Sequence, residues 1–233
     1  MAKKKKISRK QLLKEPDEFL TLSSRAVEWA RDHQKEMIIA TAVFALAGLL
    51  LVVGSWHFSR TRGRAMATYE RAAATLERLD KEEAANPEAA KAATDQLERV
   101  IDQYPRTKAA AMAAMRLGAV AYKNGDYQKA EDWYRLAVKK FSGDPLAKTL
   151  AQNGLAHALE GAGKLEQALA RFEALKEGPL SGVTQDAAFR AAMIHKKLGD
   201  AQKAAEALRN FVDTYPQSPF ARLAEEELAQ LRG

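Results

Sequence analysis

The sequence predicts an all-α fold: an N-terminal single transmembrane helix, then a helical-repeat solenoid closed by a C-terminal capping helix. The composition is helix-forming, rich in Ala, Leu, Glu, Lys and Arg, with aromatics at only 7%. One stretch of 23 residues, Met37 to Ser59, carries no charge. The phrase "DQYPRTKAA" at 102–110 returns 111 positions later as "DTYPQSPFA", about three units of 37 residues.

Taken in chain order, residues 1–36 hold ten Lys/Arg and six Asp/Glu and form a basic tail. Within it "PDEFLTLSSRAVEWARDHQKE" has Pro16 near a helix start and Phe19, Leu22, Ala26 and Trp29 at helical spacing. That short amphipathic helix either lies on a membrane surface or leads into the span. The span itself is 37–59. As a helix it would extend about 35 Å, enough for a hydrocarbon core of about 30 Å. Eleven of its residues are Leu, Ile, Val or Phe, and Trp56 and Phe58 close it where an interfacial aromatic belt is expected. It is too long for a signal-peptide core, and Arg60, Arg62 and Arg64 occupy the place of a neutral cleavage region despite "AMA" at 65–67. Basic residues flank it on both sides, but the short tail adds Lys3 to Lys6, Arg9, Lys10 and Lys14. The expected orientation therefore has the N-terminus in the cytoplasm and residues 60–233 on the far side, because long following domains translocate largely regardless of charge.

Residues 60–233 contain the repeats. Aligned on Ala93, Ala130, Ala168 and Ala204, four stretches recur after 37, 38 and 36 residues. Four positions on stand Leu97, Tyr134, Phe172 and Leu208, and three further Val100, Ala137, Leu175 and Phe211. Gly125, Gly163 and Gly199 precede the last three alanines by five, where a turn between helices calls for positive φ. The first copy is interrupted by "KEEAANPEAA", which parts a first helix over about Met66 to Leu79 from Ala89 onward. Pro145 and Pro219 fall where a following helix begins, and "FARLAEEELAQLR" supplies a terminal cap with Glu225, Glu226 and Glu227 turned outward.

These residues resemble the tetratricopeptide repeat, a helix-turn-helix unit of small and large residues. "RLGAVAYKNGDYQKAEDWYRLAV" at 116–138 places Leu117, Gly118, Gly125, Tyr127, Ala130, Tyr134 and Ala137 in the family's slots. "GLAHALEGAGKLEQALARFEAL" keeps Leu155, Gly163, Ala168 and Phe172; the last copy keeps Gly199, Ala204 and Pro216 but has His195 where the family often has Tyr. In architecture, tail, span and far-side repeats resemble the YfgM-type bacterial inner-membrane proteins, ancillary partners of the SecYEG translocon. That resemblance implies a periplasmic repeat domain linking translocon subunits to periplasmic chaperones or unfolded clients. The "YPxS" junctions also resemble periplasmic repeat proteins of envelope assembly, although the lipobox cysteine of their lipoprotein versions is missing. A scaffold for cell-envelope or secretion-complex assembly, and an organelle-import receptor of opposite orientation, stand as the alternatives.

The sequence gives no reason to expect an enzyme, a cofactor or a metal. There is no cysteine; the four histidines (His33, His57, His157, His195) lack ligand spacing; "GAGKL" at 161–165 lacks the upstream glycine and the hydroxyl of a phosphate loop. Residues 59–233 hold 27 Lys/Arg against 24 Asp/Glu, interspersed, so no nucleic-acid partner is expected, nor a small-molecule substrate. What remains is a protein-binding groove on the first helices of the repeats. By repeat alignment it is expected to comprise Met112, Met115, Tyr122, Leu150, Asn153, His157, Phe189, Met193 and Lys196, with Ala119, Glu160 and Asp186 on the same faces. Its methionines would suit extended or unfolded segments, whereas the basic and Asn residues that related co-chaperone repeats use to clamp a terminal carboxylate are not at matching positions.

Overall fold

The structure, a computed structural model, describes residues 18–81 and 86–231, with side chains from residue 24 onward except that of 26. The lysine run at 3–6, Pro16 and the middle of "KEEAANPEAA" lie outside the described residues. Every regular element among those described is helical: α1 (Glu18–Asp32), α2 (Gln34–Lys81), α3 (Pro87–Gln103), α4 (Lys108–Lys123), α5 (Tyr127–Lys140), α6 (Pro145–Gly161), α7 (Leu165–Leu175), α8 (Ser181–Lys197), α9 (Ala201–Thr214) and α10 (Ala221–Gln230). The chain separates into two compact units, Met1–Ser59 and Arg60–Gly233.

In the first unit α1 meets α2 at His33. Among the described residues two backbone hydrogen bonds cross this joint, His33 N–H to the Trp29 carbonyl (3.0 Å) and Met37 N–H to the His33 carbonyl (2.9 Å). The His33 ring competes for the same Trp29 carbonyl through Nδ1 (3.0 Å) and stacks on the Trp29 indole. A side chain intruding on the ladder is one of the recognised causes of a bend. Beyond the joint, α2 is the one described helix long and apolar enough to cross a membrane, and none of its apolar window is covered by the rest of the chain.

The same helix continues into the second unit. A separate first repeat helix over 66–79 was expected from the sequence, but α2 runs unbroken to Lys81. The reason is local: no proline interrupts 59–81, and "RAMATYERAAATLERL" is made of strong helix formers. Ala65, Ala72 and Leu76 share one face and are buried in a cluster with Ala93, Leu97 and Val100 of α3 and the alanines of α4.

From there the helices pack pairwise, α4 on α5, α6 on α7 and α8 on α9, with α10 against α9. The repeat pattern is the core. Ala93, Ala130, Ala168 and Ala204 are all 0–2% exposed, and Leu97, Phe172 and Leu208 one turn later are fully buried. An alanine lets neighbouring helices close to small separation, and the large residue beside it fills the space between repeats.

Each turn inside a pair has the same chemistry. Gly125, Gly163 and Gly199 have φ of 77°, 73° and 82°. Around each, the N–H after the glycine reaches five residues back (Asp126 to Ala121, Lys164 to Leu159, Asp200 to His195) and the glycine N–H three back. This paired closure satisfies the last helical carbonyls and needs the left-handed residue that glycine supplies. Side chains cap several helix starts: Thr107 and Asp144, between pairs, accept from the N–H groups of Ala110 and Ala147, as do Asn86 from Ala89 ahead of α3 and Asp126 from Lys129 ahead of α5. Pro145 is the first residue of α6, while Pro219 stands in the turn two residues before α10.

Candidate functional site

Packing α5 behind α4 and α6 places the Tyr134 ring between the two first helices. No side chain stands above it there, because Gly118 of α4 and Gly154 of α6 leave room. A Cβ at Gly154 would lie 2.3 Å from the ring and one at Gly118 3.0 Å. The ring forms the floor of an open groove of about 620 Å³ lined by Met112, Met115 and Tyr122 on α4 and by Leu150, Asn153 and His157 on α6. Tyr69 of α2, Arg116 of α4 and Arg190 of α8 complete its walls.

Six of the residues expected from the sequence therefore meet in one place. Tyr122 and Leu150 are exposed, at 38% and 46%, and face each other across the groove with Met112 and Met115 as one apolar patch. The other three are placed elsewhere. Phe189 is 3% exposed and packs against Phe211 and Phe220 in the last core cluster, so it is not a groove residue. Met193 packs against that cluster, and Lys196 is bonded to Glu227 and Gln230 of the capping helix. The cause is position in the stack: the groove lies over α4 and α6, so α8 meets it only at its edge, through Arg190 beside Asp186, while Phe189, Met193 and Lys196 turn to α9 and α10. Arg116, Gly154 and Arg190 are equivalent by repeat spacing, so the pairing of Asp186 with Arg190 four residues on was the signal that could have fixed this face.

The far wall is a polar network between α6 and α8. His157 Nε2–H donates to Asp186 Oδ2 (2.6 Å), Asn153 Nδ2 donates to the same oxygen (3.3 Å), and Arg190 Nε lies 3.5 Å from Oδ1. Burial pushes the Asp186 carboxyl up, but the His157 and Asn153 hydrogen bonds and the Arg190 charge outweigh it and hold it below the usual carboxylate range. Glu160 takes Lys197 and lies near Arg190. Burial raises the Tyr134 hydroxyl to about 12 and also raises that of Tyr122, so both stay neutral hydrogen-bonding groups at physiological pH.

Among the described residues, three polar atoms of groove residues are buried without a hydrogen-bond partner: Arg116 Nε, Arg190 Nε and Asn153 Oδ1. Arg190 Nε is nonetheless within ion-pair distance of Asp186, at 3.5 Å. Asn153 was expected from the repeat alignment, whereas the two arginines, next to positions chosen for apolarity, were not.

Comparison with known proteins agrees with this geometry. The model of the tetratricopeptide repeat-like domain family matches residues 28–188, and that of the tetratricopeptide repeat matches 186–218. The first range takes in the apolar segment as well as the groove. No curated protein matches. The crystal structure of the apo form of RapI superposes with a TM-score of 0.60 at 15% identity, covering 72% of this chain and 62% of that one; this chain thus spans less than two thirds of RapI. Two structures of nearly identical TPR-like repeats from Podosopora anserina each give 0.56 at 18% identity over 73% of this chain and 85% or 86% of theirs. At such identities the likeness is one of fold.

Proposed function

This chain belongs to the tetratricopeptide repeat-like domain family, and from that membership we propose that it is a membrane-anchored adaptor whose groove holds an extended protein segment. Its repeats make it a protein–protein interaction scaffold. The finer reading is that 37–59 anchors it in a bacterial inner membrane with the repeats in the periplasm. There it links the Sec translocon to a periplasmic chaperone or a translocating client. The groove over Tyr134, with its exposed Tyr122 and Leu150, is the observation that carries the binding role. The uncovered apolar helix and a family match that includes it support the anchor.

Photo-crosslinkers at Met115 and Leu150 of the full chain in its native membrane test the reading. The expected adducts are translocon subunits, periplasmic chaperones or exported precursors, absent when the crosslinker stands at exposed Arg209 on α9. Adducts to other envelope machinery alone would favour the assembly-scaffold alternative. Protection of residues 60–233 from protease added to intact spheroplasts would overturn the periplasmic placement.

A further inference from the structure

Among the described residues, the most exposed apolar side chains outside the span belong to α1: Val27 and Trp29 are 57% and 58% exposed, with Ala30 between them on the same side of the helix. Arg25, Glu28 and Asp32, spaced three and four apart, take the opposite side and are exposed, and Arg31, four residues from Val27, stands at the border between the two sides. A helix so divided needs an apolar surface on one side and water on the other.

We infer that α1 lies in the plane of an anionic lipid surface, its Val27–Trp29 face in the acyl boundary and its charged face toward water. The inference rests on the reading of 37–59 as a membrane span, to which α1 is joined through the single residue His33. Three observations select lipid as the occupant. Ala30 of α1 borders one apolar groove with Met37, Ile38 and Ala45 of α2, whose apolar stretch is itself uncovered. The joint at His33, where the backbone ladder thins and the imidazole takes the Trp29 carbonyl, allows α1 to leave the axis of the span. The adjoining residues 1–17 carry seven Lys/Arg against two Asp/Glu, a charge that complements anionic headgroups. Trp29 is the residue type that settles at such a boundary. None of this depends on which way the chain threads the membrane.

The chain has no cysteine, so single spin-labelled cysteines report without background. The full chain is reconstituted in phosphatidylcholine vesicles with and without phosphatidylglycerol, labelled through Val27→Cys, Glu28→Cys or Leu50→Cys. With phosphatidylglycerol, the label at 27 is expected to collide with oxygen and be shielded several-fold from a water-soluble nickel chelate, and the label at 28 to do the reverse. The depth at 27 should lessen in phosphatidylcholine alone, or in about 1 M salt, where the screening length falls to about 3 Å. Equal nickel access at 27 and 28 with Leu50 in lipid overturns the inference and leaves the span intact. Shielding of 27 from oxygen and nickel alike means a protein contact and overturns it too. Depth at 27 that ignores lipid charge overturns the anionic assignment, and nickel access at Leu50 overturns the span itself.

Discussion

Gly154 has the Tyr134 ring where its own side chain would be. The Gly154→Ala substitution puts a methyl carbon 2.3 Å from that ring, which must tilt or push α5 away. Overpacking of this kind costs about 1–3 kcal/mol, and urea unfolding of the repeat unit should show it. Gly182→Ala, in open space on α8, is the control and should be neutral or mildly stabilising. A second residue makes a pH prediction. Glu131 is 3% exposed and is held by Arg135 (2.6 Å) and Lys164 (2.7 Å). Burial pushes its carboxyl up, yet the Lys164 and Arg135 hydrogen bonds prevail and leave it lowered. A lowered folded-state value stabilises above the unfolded carboxylate range and is lost as pH falls through the folded value. Glu131→Gln should therefore cost about 2 kcal/mol at pH 7, and the gap to the parent should close as the pH falls below about 4. A gap that stays constant down to acid would mean that the ion pairs do not carry the effect.

At the scale of elements, α10 matters most for how little of it there is. This short helix and the turn before it cover Leu208, Phe211 and Phe189, which are 0–3% exposed. Each large apolar side chain returned to water costs about 1.5–3 kcal/mol. A chain ending at 219 should unfold at distinctly lower urea and bind a hydrophobic dye, while residues of α4 and α6 keep their amide protection, because repeats hold chiefly to their neighbours. The elements also show what sequence periodicity carries. The alanines at 93, 130, 168 and 204 and their large partners are buried as a repeat demands, since spacing and size alone determine that face. The groove edge on α8 was harder to see, because an apolar residue at an equivalent repeat position, Phe189, serves the last core cluster rather than the groove. The missing boundary between the span and the first repeat helix had no signal at all: a helix former follows a helix former, and only burial distinguishes Ala65 and Ala72 from the residues before them.

At the scale of the molecule, the two units treat apolar side chains in opposite ways. Residues 37–59 expose Phe44 at 78% and Leu51 at 74%, while among the described residues beyond Arg60 the large apolar groups are buried or half-buried except Tyr122 and Leu150 at the groove and, elsewhere, Leu146 and Leu223. Its polar links follow the repeat as well. Lys108 joins Asp144, Lys123 and Arg116 join Asp80, Lys140 joins the Pro105 carbonyl, Lys164 joins Gln128 and Lys197 joins Glu160, each across 35 to 43 positions of sequence. Each of these bonds ties one repeat to the next. Copying a whole period into the gene would therefore give every severed link an equivalent new partner, whereas inserting half a period would orphan them together. Growth or shrinkage of this array by entire modules is thus the change of length that its own chemistry tolerates.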